Sequence, residues 1–177
     1  MIVNLTQKER TLLEDQKNHE EICIKKYEQY ANLTSCSELK NLLQSHAATE
    51  KSHLNSINQL LSGQLPNVNA QGGSSQGQGQ SGQGASGQGT SMGGMQGQAS
   101  QGQAVGGQTS QGQITEKDLC TDLLMTEKYV SNAYDTAIFE FTDPQIRSVL
   151  NHIQKEEQQH GEAIYKYMES KGLYQAK

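Results

Sequence analysis

The sequence predicts an all-α protein, a four-helix bundle made of two repeated antiparallel helical hairpins joined by a long disordered crossover. Apolar residues recur at helical spacing on both sides of a central low-complexity segment. That segment, residues 63–113, contains 16 of the 18 glycines, 14 glutamines and no charged residue. We therefore expect hairpins at 5–62 and 114–174 that pack as one bundle, with 63–113 as a Gly/Gln/Ser-rich linker.

Four amphipathic stretches define the predicted helices. Their apolar stripes run over Leu5–Ala31, Leu39–Leu61, Leu119–Phe141 and Ile146–Met168. Each stretch has roughly 25 to 30 residues, which corresponds to a helix of about 40 Å. Because the connection inside each hairpin is short, the first two helices should be antiparallel neighbours, and so should the last two.

Capping residues mark the predicted helix ends. Ser35 with Glu38, and Thr142 with Gln145, have the spacing of a capping box at the start of the second and fourth helices. The remaining signals are Pro144 in the first turn of the fourth helix, Thr115 and Asp118 at the start of the third, and Gly63 and Gly172 after the second and fourth.

The two hairpins repeat each other. Residues 13–61 overlay residues 120–168 without a gap at a shift of 107. Only seven positions are identical, but they include two glutamates and a histidine in each copy. The repeated pairs are Glu20/Glu127, Glu50/Glu157 and His53/His160. Shared amphipathic character explains repeated leucines and does not explain these three pairs.

These six residues predict a di-metal centre with Glu20, Glu50, His53, Glu127, Glu157 and His160 as ligands. One Glu from each of two helices, with a Glu-x-x-His from each of the other two, is the ligand set of di-iron and di-manganese carboxylate bundles. All six interrupt apolar seams, and the matched glutamates of each hairpin are equidistant from its turn. Buried carboxylates need a partner, and two iron or manganese ions would neutralise four of them.

Other interpretations of this region stay open. The six groups could form buried Glu–His pairs without metal, or face solvent in a looser assembly. Glu21 and Glu156 are the alternatives to their neighbours if the helical register differs by one. His46 is expected in the core rather than as a ligand. Tyr27 and Tyr134 are also expected in the core, with hydrogen bonding to the ligands as the alternative.

Composition excludes several classes of function. The net charge is −5 and no face is rich in Lys or Arg, so we expect no nucleic-acid partner. No apolar run approaches 18 residues, so no membrane span is expected, and the first ten residues lack the core of a signal peptide. Three cysteines without a Cys-x-x-Cys pair indicate synthesis in a reducing compartment.

The last two predicted helices carry a specific series of residues. Asp143-Pro-Gln-Ile-Arg lies at the turn, His160 in the last helix, then Ile164-Tyr-Lys-Tyr-Met168 and Gly172-Leu-Tyr174. In these residues the stretch 115–174 resembles the coat F domain of bacterial spore coat proteins. With its six predicted ligands, the whole chain also resembles the wider ferritin-like superfamily.

The resemblance implies a protein made in the mother-cell cytoplasm and deposited in the endospore coat, with other spore coat proteins as partners. Two functions are compatible with it. The chain is a structural coat protein whose bundle binds a di-metal centre, or a di-iron or di-manganese oxidoreductase that acts on peroxide, oxygen or iron. The long linker would also permit a homo-oligomer by exchange of hairpins. It is either a tether or a source of glutamines for isopeptide cross-links.

Overall fold

The computed structural model describes residues 4–67 and 114–175 and folds them into four α-helices. The helices are α1 (Gln7–Leu33), α2 (Ser37–Leu61), α3 (Glu116–Glu140) and α4 (Pro144–Ser170). They form two hairpins, α1–α2 and α3–α4, which pack together through α1 against α3 and α2 against α4. The predicted all-α bundle of two hairpins is confirmed. The predicted linker lies outside the described residues from residue 68 onward.

Contacts between the hairpins show how the helices run. Tyr27 contacts Glu127, and Tyr134 contacts Glu20, so residue numbers rise along α1 as they fall along α3. The contacts of Glu38 with Lys171 and of His53 with Glu156 give the same direction for α2 against α4. All four packed pairs are therefore antiparallel. Since α2 and α3 occupy opposite corners and point the same way, the end of α2 and the start of α3 lie at opposite ends of the bundle.

The apolar stripes meet along the bundle axis. Fully buried side chains from all four helices include Leu13, Leu39, Leu43, Ile57, Leu60, Leu123, Leu150, Ile153 and Ile164. Each such side chain stabilises the bundle by about 1.5–3 kcal/mol through its removal from water. Cys23 and Cys120 also lie in the core, as free thiols. No described helix combines the length and the apolar character that crossing a bilayer requires.

Several helix ends follow the predicted capping chemistry. The Thr115 side chain accepts from Asp118 N, and Asp118 accepts in return from the Thr115 N–H 2.9 Å away. Pro144 lies in the first turn of α4. Gly63 and Gly172 have φ angles of 82° and 67°, the left-handed conformation in which glycine ends a helix at little steric cost.

Two predicted capping boxes are wrong by one residue. The N-cap of α2 is Cys36 rather than Ser35, because the hydroxyl of Thr34 accepts the Cys36 N–H at 3.1 Å. The N-cap of α4 is Asp143, whose carboxylate accepts from Gln145 N. Thr142 is engaged elsewhere.

The residue that engages Thr142 is Glu9, which the sequence did not single out. Glu9 is buried, and its Oε1 accepts from the Thr142 N–H at 2.9 Å. Its Oε2 accepts from the N–H of Thr6 at 2.8 Å, which completes a capping box at the start of α1. One carboxylate therefore caps α1 and fastens it to the α3–α4 turn.

Candidate metal centre

The six predicted ligands converge at mid-height of the bundle. Glu20 comes from α1, Glu50 and His53 from α2, Glu127 from α3, and Glu157 and His160 from α4. All six are at most 5% exposed. Their donor atoms form two groups within 4.8 Å, one of Glu20, Glu50, His53 and Glu157, the other of Glu50, Glu127, Glu157 and His160. Glu50 and Glu157 belong to both groups, so the two groups are arranged as adjacent ion sites with shared carboxylates.

Each histidine faces one glutamate of its own group and both shared glutamates. His53 Nδ1 lies 2.9 Å from Glu157 Oε1, 3.3 Å from Glu50 Oε2 and 3.6 Å from Glu20 Oε2. His160 Nδ1 lies 2.9 Å from Glu50 Oε1, 3.8 Å from Glu157 Oε2 and 3.9 Å from Glu127 Oε2. The repeat in the sequence thus becomes an approximate two-fold repeat in space.

Most of these inward atoms lack a hydrogen bond. Glu20 Oε2, Glu50 Oε1, Glu127 Oε2, both oxygens of Glu157 and His160 Nδ1 have no hydrogen-bond partner among the described residues. The 2.9 Å approach of His160 Nδ1 to Glu50 Oε1 is close, yet the two atoms are not aligned as donor and acceptor. A buried acceptor without a partner costs about 1–3 kcal/mol. Carboxylate oxygens and imidazole nitrogens are ligands of iron and manganese, so the donor set fits two divalent ions.

Two buried tyrosines donate hydrogen bonds to Glu20 and Glu127, the two glutamates that each belong to one ligand group only. The Tyr27 hydroxyl donates to Glu127 Oε1, and the Tyr134 hydroxyl donates to Glu20 Oε1. Each tyrosine comes from the neighbouring helix of the other hairpin, and both are 0% exposed. They lie in the core, as expected, and also take the alternative role of bonding the ligands. One oxygen of each glutamate is fixed in this way, and the other faces the centre.

Glu156 supports the centre from outside. His53 Nε2 lies 2.8 Å from Glu156 Oε2, and His152 Nε2 approaches the same oxygen at 3.4 Å. An Nε2–H that donates to Glu156 leaves the Nδ1 lone pair for the centre. Glu156 is therefore a partner of His53 rather than a substitute for Glu157. The other off-register alternative, Glu21, lies at the surface, 3.9 Å from Lys17.

His46 lies beside the centre without joining either group. It is buried, its ring stacks on His160 with 4.2 Å between centroids, and it meets the edge of Tyr27. Burial, with the His160 ring nearby, lowers the pKa of His46 to about 3. The expectation that His46 is a core residue agrees with this packing.

Sequence reasoning missed the contact between Glu156 and His53, because a partner on another helix leaves no local spacing to detect.

Burial dominates the electrostatics of the ion-free cluster. It raises the pKa of Glu20 to about 8, of Glu157 to about 7 and of Glu127 to about 10, with repulsion from neighbouring carboxylates added. Burial also acts to raise the pKa of Glu50, but the polar contacts of His160 and His53 outweigh it, and the net shift is downward. For His53, contacts with Glu156 and Glu157 outweigh burial and raise the pKa. Without ions, the cluster therefore holds protons that divalent cations would displace.

We expect Glu156→Ala to weaken metal binding about 10- to 100-fold at the His53 group, because His53 loses the carboxylate that orients its ring. The His160 group should keep the affinity of the parent. Titration of metal-free protein with Mn²⁺, followed by the decrease of the free Mn²⁺ signal, would resolve one weakened site of two. The matched control is Thr49→Ala, since Thr49 holds the equivalent position in the first hairpin. Equal weakening of binding at both sites would contradict the assignment of Glu156 as the partner that orients His53.

The fold and the cluster define a four-helix bundle with buried Glu/His groups able to bind metal. Residues 115–177, which include α3 and α4, match the family model of the coat F domain. The chain thus carries a coat F domain in its second hairpin, which points to a spore coat protein. No curated protein and no solved structure matches the chain.

Proposed function

We propose that this protein is a structural component of the bacterial endospore coat whose bundle binds two iron or manganese ions. The observation that carries the proposal is the pair of overlapping buried ligand groups, which share Glu50 and Glu157. The coat F domain in the second hairpin supports the location. We infer synthesis in the mother-cell cytoplasm, deposition in the coat, and other coat proteins as partners.

Each part of the chain has a role in this proposal. Glu20 and His53 would hold one ion, Glu127 and His160 the other, and the shared glutamates both. The bound ions would join all four helices at one level, and they would supply redox chemistry. Tyr27 and Tyr134 hold one oxygen of Glu127 and Glu20, respectively, while the apolar layers on either side exclude water. Residues 63–113 would serve as the tether that crosses the bundle between the two hairpins.

A second candidate function is a di-iron or di-manganese oxidoreductase within the coat. A cavity of about 460 Å³ between α3 and α4 favours it, since two of the buried ligands, Glu127 and Glu157, line this cavity. A centre that serves stability alone needs no such cavity. Consumption of oxygen or peroxide by the metal-loaded protein, compared with the metal-free protein, separates the two functions.

Metal content tests the proposed centre directly. The parent protein should bind two ions per chain after incubation with Fe²⁺ or Mn²⁺ and removal of excess metal. The Glu50→Ala/Glu157→Ala variant should retain almost none, because each substitution removes a ligand from both groups. A Glu38→Ala/Glu162→Ala variant is the control, since both glutamates are exposed and lie on the same two helices. A parent that binds no metal, or a double variant that binds as the parent does, contradicts the proposal.

A further inference from the structure

The cavity between α3 and α4 extends toward the candidate metal centre, since Glu127 and Glu157 are among its lining residues. Its volume is about 460 Å³. Lys128, Asn132, Asp135 and Gln158 line it with exposed side chains, whereas its lining residues Glu127 and Glu157 are buried. Those two glutamates present three oxygens without a hydrogen-bond partner. The cavity therefore extends from the surface to the buried side chains of Glu127 and Glu157.

Two small residues keep this passage open. Gly161 lies in the middle of α4, beside Leu124 and Glu127, and Ser131 lies on α3 at the level of Gln154, about two turns further along the cavity. A Cβ atom at Gly161 would lie 3.7 Å from Glu127 Cβ and 3.7 Å from Leu124 Cδ1, which is ordinary van der Waals contact. Alanine would thus fit, whereas a longer side chain would extend into the cavity.

The first hairpin has large residues at the equivalent positions. With the shift of 107, Leu54 corresponds to Gly161, and Ile24 corresponds to Ser131. The pocket described on the α1–α2 hairpin is lined by residues such as Glu28, Ala47 and Lys51 and reaches neither Glu20 nor Glu50. The repeat is therefore symmetric in its ligands and asymmetric in its access.

The lining of the passage is mainly apolar, with polar side chains along it that can contact a hydrated cation. Beyond Ser131, side-chain amides of Asn132, Gln154 and Gln158 line it, and Gln154 is held by a 3.0 Å hydrogen bond to the Ser131 carbonyl. Oxygen donors of this kind replace water around a divalent ion. A smaller pocket of about 280 Å³ between α1 and α3 offers Cys23, Met125, Tyr129 and Val130 instead, and none of the six ligands lines it.

We propose that the α3–α4 cavity, kept open by Gly161 and Ser131, is the path by which divalent cations reach and leave the buried centre. The proposal rests on the proposed metal centre and adds the direction of access. The glutamates at the inner end would take the ion first, since their unpaired oxygens are the first ligands along the path.

The test compares rates of metal uptake rather than amounts bound. Co²⁺ alone is mixed with metal-free full-length protein, and its visible absorption is followed on binding and on later addition of a chelator. In Gly161→Leu/Ser131→Ile, both rates should fall at least tenfold, with the final cobalt content unchanged. Gly161→Ala is the matched control and should stay within twofold of the parent, because its methyl group fits. If the double variant does not fold, Ser131→Ile alone gives the same comparison.

A rescue variant makes the test specific. Adding Leu54→Gly and Ile24→Ser to the closed protein should restore fast uptake through the first hairpin. Unchanged rates in a folded closed variant would overturn the proposed path and leave the metal centre standing. A lower final cobalt content would also overturn it, because Gly161 and Ser131 would then affect holding rather than access. A parent that takes up no cobalt would overturn the centre and the path together.

Discussion

Replacing Glu157 with leucine is expected to abolish binding of both ions and, in the metal-free protein at pH 8, to increase the free energy of unfolding. Metal binding fails because Glu157 belongs to both ligand groups. Stability rises because burial, with repulsion from Glu50, raises the pKa of Glu157 to about 7, so that at pH 8 the fold holds a buried negative charge among three other buried carboxyl groups. Removing such a group should stabilise the metal-free fold by about 1–3 kcal/mol. Urea unfolding in the presence of a chelator, with metal analysis of the same samples, measures both effects.

Glu162→Gln on the same helix is the control for this variant. Glu162 is exposed and lies 2.5 Å from Lys166, so its loss should change stability by less than about 0.5 kcal/mol and leave metal content unchanged. For Glu157→Leu, the informative result is that metal content falls while the free energy of unfolding of the metal-free protein rises. If Glu157→Leu destabilised the metal-free protein, the carboxylate would be a structural partner of His53, as in the metal-free interpretation of the cluster.

The second large effect is on pH dependence. The metal-free protein is expected to lose stability as the pH rises from 6.5 to 9. Burial raises the pKa of Glu157 to about 7, of Glu20 to about 8 and of Glu127 to about 10, above the value of about 4.3 for an unfolded glutamate. A carboxyl group whose pKa is raised in the folded state contributes stability that is complete below its unfolded-state pKa. This stability is lost as the pH rises through its folded-state pKa. The expected slope is about 1.4 kcal/mol per pH unit for each proton released.

The other titrating groups determine the pH range over which this loss of stability is expected. The raised pKa of His53 acts in the same direction, since its stabilising charge is lost at high pH. His46, whose pKa burial lowers to about 3, removes stability only below the unfolded value of about 6.5. The lowered pKa of Glu50 matters only below the unfolded glutamate value. Above pH 6.5 the raised carboxyl groups therefore decide the slope.

Saturating Mn²⁺ should reverse this dependence, because ions bind the deprotonated ligands and binding strengthens as the pH rises. The measurement is a series of urea unfolding curves at pH 6.5, 7.5 and 8.5, with chelator or with Mn²⁺. The Glu157→Leu variant should show a shallower slope and no response to Mn²⁺. A flat profile for the metal-free parent would mean that the glutamates are solvated and the cluster is not closed.

The four helices could be predicted from the sequence because helix formation and capping depend on residues that are close in the chain. Helical spacing of apolar residues predicts four helices, and the residues that cap or end them are neighbours in the chain. One of the two capping errors arose where a distant residue intervened, since Glu9 on α1 accepts from the backbone N–H and the hydroxyl of Thr142. The contact between Glu9 and Thr142 spans the two hairpins and carries no local signal.

The sequence by itself determined the fold class, through the helical spacing of its apolar residues. It also determined the six candidate ligands, because they recur at the same positions of the internal repeat. Only the tertiary structure decided which atoms face the centre, that Glu50 and Glu157 belong to both groups, and that each tyrosine donates to the glutamate of the neighbouring helix in the other hairpin. It also placed Glu127 and Glu157 in the lining of the α3–α4 cavity. The physical reason is that periodicity fixes the face of a helix on which a residue lies, whereas partners across a bundle depend on the packing of the helices.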